Sequence, residues 1–236
     1  MRAEQAKWKR GISPLWRQTL LDCVRPDIWR HFIRIFGDCL RHEYPDFSAR
    51  YGDPGTMRTG VRLRDDFTDV DVLLDSKMLL HTSATERSEI ERLPHLKLFS
   101  TIFLAYLFLR PDGDRSDGAD FEFYSAKPGE RILLGDRQGV RPEQLKLEAM
   151  APYRKNTLVL FMNTARSYQG VTARSPSAYP YMALHFTAHL RSPLYDHEFR
   201  PGAVPDATPV ELMYPPHRRT LRERVSYGVR RVTGRL

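Results

Sequence analysis

Cysteine and long apolar segments are scarce in this chain of 236 residues. Its two cysteines, Cys23 and Cys39, are too few for a disulfide framework or a cysteine-based metal site. No apolar segment approaches the length of a membrane span, and residues 1–16 lack the apolar centre of a signal peptide. These absences predict a cytoplasmic protein. Glycine-rich phosphate loops and the nucleophile elbow of a hydrolase are also missing, so neither kind of enzyme is indicated.

Positive charge is distributed unevenly along the chain. Residues 215–236 contain seven arginines and one glutamate, which is +6 of the net charge of +8 and leaves +2 for the rest. Nucleic acid is therefore not an expected partner of the main body. Apolar residues at helical spacing among these arginines predict a basic, helical C-terminal extension at residues 201–236. It would contact an acidic partner or an anionic membrane surface, unless it is simply a solvated terminal helix.

Helical periodicity dominates residues 1–60. Residues 15–24 form a short segment that contains both apolar and polar residues, and Asp27 is a candidate N-cap for a helix that ends near His42. Apolar residues recur through that helix at helical spacing: Ile28, Trp29, Phe32, Ile33, Ile35, Phe36, Cys39 and Leu40. We therefore predict an N-terminal helical layer over residues 1–60 that packs on a sheet.

The pattern changes to short strands after Gly60. Strands are predicted at 61–80, with a break at 65–66, and at 95–109, 120–124, 131–134, 145–150, 157–162 and 182–190, with a loop or short helix at 84–92. Many short strands separated by turns favour a jelly roll or barrel over a βαβ sheet. The predicted fold class is mainly β with flanking α-helices, with the core at residues 61–200.

Three motifs in this region have the order and spacing of a known family. They are Leu93-Pro94-His95-Leu96-Lys97, then Gly118-Ala119-Asp120-Phe121-Glu122-Phe123-Tyr124, and finally Asn156–Phe161 followed by Tyr168–Arg174. Together they resemble the iron(II)/2-oxoglutarate oxygenase superfamily. The first is similar to its Pro-His-x-Asp motif, and the last to the strand and turn that present its distal histidine. The resemblance implies a double-stranded β-helix (jelly-roll) core.

The same resemblance implies a site and a chemistry. Such enzymes hold iron(II) with two histidines and a carboxylate, and hydroxylate a small molecule or glycan with 2-oxoglutarate as co-substrate. Here His95 occupies the first ligand position, but Lys97 replaces the acid and Gln169 replaces the distal histidine. Tyr181 stands where an arginine for the co-substrate is expected. Because an ammonium group cannot ligate iron and an amide is a poor ligand, the resemblance implies a divergent member without the ordinary iron site.

The histidines leave one alternative open. Strand alternation from Tyr181 places His185 on the same face, and His81 lies on a preceding strand. A rearranged metal site would combine His95, His185 and His81. Otherwise these are hydrogen-bonded or surface histidines with no ligand role.

Lys97 also has more than one interpretation. A lysine at the former metal position would bind a carboxylate or phosphate, or act as a base if burial lowers its pKa. The simpler alternative is an ion pair with Glu122, Asp120 or Glu91, or a side chain in solvent.

Two acidic clusters have simpler interpretations than metal binding. Asp69-Val70-Asp71 lies in an alternating strand, which predicts a solvated strand face. Asp112, Asp114 and Asp117 lack the ordered ligand pattern of a calcium loop and predict an acidic turn.

These observations support one leading functional hypothesis and two alternatives. The leading one is an oxygenase-like protein with a small-molecule or glycan pocket around Lys97, Gln169 and Tyr181 and without standard oxygenase activity. One alternative is a non-catalytic pseudoenzyme, an interaction subunit of an active oxygenase or of a homo-oligomer. The other is an active oxygenase, or a metal-free isomerase or cyclase, with a rearranged site. An open polar pocket would favour ligand binding, and a pocket filled by aromatic rings would favour the interaction role.

Overall fold

The computed structural model describes residues 1–7, 9–81, 93–97, 99–135 and 139–201. The predicted loop or helix at 84–92 and the predicted C-terminal helix lie outside these residues. None of the helices within them is long and apolar enough to cross a membrane.

Four helices lie in the first 60 residues, as the helical periodicity predicts. They are α1 (Ala3–Ala6), α2 (Pro14–Asp22), α3 (Pro26–Glu43) and α4 (Phe47–Tyr51). The expected N-cap at Asp27 is wrong: Arg25 is the cap and α3 begins at Pro26, two residues earlier than a helix capped by Asp27 would begin. Proline suits the first helical position because its fixed φ is already helical and it lacks the N–H that would have no partner there. Asp27 instead forms an ion pair with Arg30 in the first turn of the helix.

Within the described residues, eight strands and one short 3₁₀-helix follow. The strands are β1 (Thr59–Val61), β2 (Val72–His81), β3 (Thr101–Phe108), β4 (Phe121–Ala126), β5 (Leu145–Ala151), β6 (Leu158–Met162), β7 (Tyr168–Val171) and β8 (Tyr181–Leu190), and the 3₁₀-helix is Pro142–Gln144. The prediction of a mainly β chain with helices at its front is confirmed. The division into three segments at residues 60 and 200 stays a prediction.

The strands form two sheets. The five-stranded sheet has the order β1-β2-β8-β3-β6, and the three-stranded sheet has the order β5-β4-β7. β1 and β2 are parallel, and the other pairs are antiparallel. A further segment, residues 93–97 (the His95 segment), lies beside β7. There the His95 N–H donates to the Gln169 carbonyl at 2.9 Å, and the Gln169 N–H donates back at 3.1 Å.

Three of the predicted strand regions need correction. In the region 61–80, residues 63–71 form turns and irregular structure and the strand begins only at Val72, so Asp69-Val70-Asp71 does not lie on a strand face. The predicted strand at 95–109 is two separate pieces, because the His95 segment pairs with β7 whereas β3 begins at Thr101 and belongs to the other sheet. The predicted strand at 131–134 is reduced to a single bridge between Leu134 and Phe199. The latter two sequences are apolar enough for strands, but their backbone partners lie far away in the sequence.

Aromatic rings from both sheets pack against one another in part of the interior. The ring of Tyr106 on β3 lies 5.0 Å from that of Phe121 on β4, and Phe121 lies 5.6 Å from Phe161 on β6. On the outer face of the five-stranded sheet, Phe32 of α3 stacks on Phe103 at 4.6 Å. Burying each of these large side chains contributes about 1.5–3 kcal/mol. The sheets therefore face each other across a packed interior, and α3 covers the outside of one of them.

Candidate functional site

The backbone pairing of His95 and Gln169 brings together two positions that the family resemblance singles out. Residues directly opposite each other in an antiparallel pair project to the same face. Gln169 is also opposite Phe123 of β4, and the rings of Phe123 and Phe161 lie 5.1 Å apart across the interior. The side chains of His95 and Gln169 therefore belong to the face that looks between the sheets.

His185 lies on the opposite wall of the same interior. On β8 it is flanked by Lys77 of β2 and Tyr106 of β3, and its ring centroid is 4.4 Å from that of Tyr106. Because Tyr106 packs against Phe121 of the other sheet, His185 also points between the sheets. The face predicted from strand alternation is therefore the inner face of β8.

Three buried polar atoms on these two walls have no hydrogen-bond partner among the described residues. Gln169 is 2% exposed, and both its amide nitrogen and its amide oxygen lack a partner. His185 is 7% exposed, and its Nε2 lacks a partner. A buried polar group without a partner costs about 1–3 kcal/mol. Such a group in a folded protein calls for an explanation, for example an ordered water or a ligand.

Positively charged side chains lie close to His185, including one on the inner face of β2. Lys77 shares the inner face of β2 with Asp75, but the Asp75 carboxylate is bound by Arg2 and by Arg62, the latter at 3.0 Å. Within the described part of the chain, the side chain of Lys77 makes no hydrogen bond or ion pair. Burial, followed by the charges of Arg2 and Arg62, lowers the pKa of Lys77 to about 8. Lys77 is thus a half-buried cation whose nearest acid is already engaged.

Both buried histidines of β8 are held in the neutral form. Burial, and then the charges of Lys77 and Lys97, lower the pKa of His185 well below its usual value. Burial likewise lowers the pKa of His189 to about 3. The ring nitrogens of His189 lie 3.2 Å from the Thr101 hydroxyl and 2.8 Å from the Thr187 hydroxyl. The positive charge around these residues therefore comes from lysines and arginines, whereas the imidazoles of His185 and His189 carry no charge near neutral pH.

Not every residue predicted for the site lies in it. We define the inner cluster as Gln169, His185 and Lys77. Lys97 is half-buried, and its charge acts on His185, which places Lys97 near this cluster. His81 is exposed at the end of β2, opposite Tyr181. His185 is opposite Lys77, which lies four residues before His81 on β2. His81 and His185 are therefore about 13 Å apart along the strands. The structure does not bring His81 to His185.

Tyr181 lies in an aromatic cluster. Its ring stacks on that of Tyr153 at 4.5 Å and meets Phe108 edge-on at 6.4 Å. The Met182 N–H donates to the Tyr153 hydroxyl at 2.9 Å, which fixes the stack against β8. The position at which the family resemblance implies an arginine for 2-oxoglutarate is thus occupied by packed rings.

The donor set does not fit iron(II). Of the three side chains at the implied ligand positions, only His95 supplies a good donor, because Lys97 is cationic and Gln169 is an amide. No three His, Cys, Asp or Glu side chains of the described residues are grouped so that they could hold a metal ion. Tyr181, where the resemblance implies an arginine for the co-substrate, has aromatic rings as its neighbours.

The acidic loop has a structural role. Asp114 is 4% exposed and accepts hydrogen bonds from the Ser116 hydroxyl at 2.7 Å and from Arg174 at 2.8 Å. Burial alone would raise the pKa of Asp114, but hydrogen bonds from Ser116 and Ser177 and the charge of Arg174 lower it to about 2. Arg110 also forms an ion pair with Asp114, with 3.3 Å between its Nε and the carboxylate oxygen. Asp71, from the other acidic cluster, accepts from the Arg58 N–H at 2.8 Å.

Lys77, Asp75 and Arg2 are functional candidates that sequence reasoning missed. The available signal is the interruption of an apolar strand, residues 72–80, by two charged residues that are two positions apart. Charges at that spacing on a buried strand face the same side and need partners there.

Comparison with known proteins assigns no family. No protein-family model matches this chain, and no curated protein matches it. Among solved structures, the chain is similar to the SPBc2 prophage-derived protein YomS, with 14% identity and a TM-score of 0.26 over 49% of this chain and 95% of YomS. A similarity of that size carries no argument about fold or function.

Proposed function

We propose that this protein has a double-stranded β-helix core. Strand order supports the proposal when β2 is taken as the first strand and the His95 segment as the second. One sheet then reads first, eighth, third, sixth, and the other fifth, fourth, seventh, second. That is the order of an eight-stranded jelly roll, to which β1 adds one parallel edge strand.

On this core we propose a divergent member of the iron(II)/2-oxoglutarate oxygenase superfamily that binds a small molecule between its sheets and does not oxidise it. The observation that carries this proposal is the group of unpartnered polar atoms on Gln169 and His185. These side chains come from facing sheets, and each is nearly fully buried. A ligand that bonds to both would offset the desolvation cost that they carry in its absence.

The chemistry of the neighbouring residues argues against oxygenase activity. Lys97 and Lys77 put positive charge where a dication would have to bind, and the Tyr181–Tyr153 stack fills the co-substrate region. Incubation with iron(II), ascorbate and 2-oxoglutarate should therefore give no succinate above background. Robust turnover would contradict the proposal.

The binding function is tested by a thermal-shift screen against small carboxylates, phosphates and neutral sugars. A ligand present at about 100 times its Kd should stabilise the protein by roughly 2.7 kcal/mol. Gln169→Leu should abolish the shift, whereas Gln18→Leu, at an exposed position of α2, should leave it intact. If no compound shifts the wild type, and a crystal structure shows only waters on Gln169 and His185, the proposal fails.

A non-catalytic interaction subunit is a second candidate, favoured by the packed rings of Tyr181, Tyr153 and Phe108. These rings leave the co-substrate end of the interior filled. This role predicts a stoichiometric complex between the purified chain and a separately purified homologous oxygenase with an intact iron site, measured by analytical ultracentrifugation. Two independent monomers in that experiment would exclude it.

A further inference from the structure

The charge of Lys77 is not balanced by an acidic partner among the described residues. Asp75 is the buried carboxylate next to Lys77 on β2, and two arginines already bind it. Lys77 therefore keeps its charge without a described acidic partner, and Lys97 adds a second cation within reach of His185. A buried cation is costly unless an anion pairs with it.

We propose that the inner cluster binds the oxyanion of a small carboxylate or phosphate, with Lys77 as its anchoring cation and His185 and Gln169 as its neutral hydrogen-bond donors. This inference rests on the proposed binding function and names the chemistry of the ligand. Lys77 was not among the residues expected from the sequence, and it belongs to a different strand from all of them except His81.

The hydrogen-bond donors that these residues offer favour an anion over a cation. Lys77 offers three donors, a neutral His185 can carry its proton on the unpartnered Nε2, and the Gln169 amide nitrogen offers two more. The donors come from β2, β8 and β7, that is, from both sheets. A metal ion or an amine would meet the charges of Lys77 and Lys97 and be repelled.

The surroundings also limit the size and character of the ligand. Tyr106 lies against His185, and Phe123 is directly opposite Gln169 on the neighbouring strand. Since Gln169 and His185 are almost completely buried, an anionic group that reaches both must be compact, as a carboxylate or a phosphate is.

Isothermal titration of the wild type with inorganic phosphate, benzoate, succinate and glucose tests the inference. At least one of the anions should bind, and glucose should not. Lys77→Met, which keeps the length and apolar stem of the side chain, should weaken that binding by about 10- to 100-fold, as expected for a hydrogen bond to a charged group. Lys127→Met, on an exposed turn, is the matched control and should bind as the wild type does.

A second variant guards against a folding defect in Lys77→Met. Gln169→Glu keeps the size of the side chain but sets a carboxylate against the bound anion, and it should also abolish binding while its circular dichroism spectrum stays that of the wild type. Binding of phosphate only, or of a carboxylate only, would identify the source of the oxyanion.

Two results would overturn the inference in different ways. If glucose or another neutral compound binds at Gln169 and Lys77→Met binds it equally well, the anion inference is wrong but the proposed binding function stands. If nothing in the titrations or the thermal-shift screen binds, both are wrong. Anion binding that is unchanged in both Lys77→Met and Gln169→Glu would place the anion elsewhere and also refute the inference.

Discussion

Two buried polar clusters of this protein differ in how completely their members are paired. Around Asp114, the carboxylate is bound by two serines and two arginines, and Arg174 in turn also donates to the Ser116 hydroxyl at 2.9 Å. Around His185 and Gln169, three polar atoms lack partners within the described residues, and Lys77 has no acid. Both clusters are buried, but only the first is complete. The difference separates a polar cluster whose members satisfy one another from one whose buried polar atoms still have unused hydrogen-bonding capacity.

The largest expected effect comes from rebuilding the metal site at the inner cluster. In a double variant, Lys97→Asp and Gln169→His, His95 would join a second imidazole and a carboxylate, which is the ligand set of non-haem iron enzymes. We expect stoichiometric Co(II) binding in the variant, measured by its d–d absorption spectrum, and none in the wild type.

The control for this variant is Gln18→His with Lys127→Asp, which makes the same changes at exposed positions. A double variant that folds normally but binds no cobalt would refute the placement of residues 95, 97 and 169 that the family resemblance implies. It would also remove the main reason to place the chain in that superfamily.

The next largest effect should come from breaking the complete cluster. Asp114→Ala leaves Arg174 buried without its carboxylate, and we expect a loss of about 3–5 kcal/mol in the free energy of unfolding. Urea denaturation measures it. Asp112→Ala, in the same loop but exposed, should change stability by less than about 0.5 kcal/mol. Similar losses in the two variants would mean that the Asp114 network does not hold the loop.

Acidification should destabilise the inner cluster in a defined pH range. The pKa values of His185 and His189 are lowered in the folded state, so the unfolded chain binds more protons once the pH falls below about 6.5. The contribution of these histidines to stability should be constant above that pH and fall below it, by about 2 kcal/mol for His189 at pH 5. Urea denaturation of the wild type, of His185→Gln and of the exposed control His31→Gln measures the slope.

His185→Gln should reduce the loss of stability between pH 7 and pH 5, whereas His31→Gln should not. Equal slopes in all three proteins would show that His185 is not held neutral by burial. Lys77 acts in a higher range: because its pKa is lowered to about 8, the penalty from its charge is fully present below pH 8 and disappears as the pH rises toward 10.5.

The smallest expected effect is a gain in stability rather than a loss. Gln169→Leu replaces an unpartnered buried amide with an apolar side chain of similar size, and we expect the ligand-free protein to gain about 1–3 kcal/mol in stability. Thermal denaturation measures the gain, with Gln18→Leu as the exposed control. A loss of stability in Gln169→Leu would show that the amide is satisfied, for example by ordered water, and would remove the contrast between the two clusters.

The inner face of β8 could be predicted from the sequence, because strand alternation is a local property and places His185 with Tyr181 whatever lies opposite. The separation of the His95 segment from β3 could not, since the apolar residues from Leu96 to Leu109 read as one strand and the choice of sheet depends on β7. Lys77 was missed for the same reason: its neighbour His185 comes from the last strand. The cytoplasmic location and the role of the basic extension stay predictions.

The pairing of His95 with Gln169 also bears on how such a site can change over evolutionary time. The two residues are held by main-chain hydrogen bonds, which are the same whatever side chains the positions carry. Substitutions at 95 and 169 therefore exchange one ligand chemistry for another without cost to strand pairing, and each can occur separately in a folded intermediate. A catalytic centre can in this way be lost, replaced and regained on an unchanged backbone.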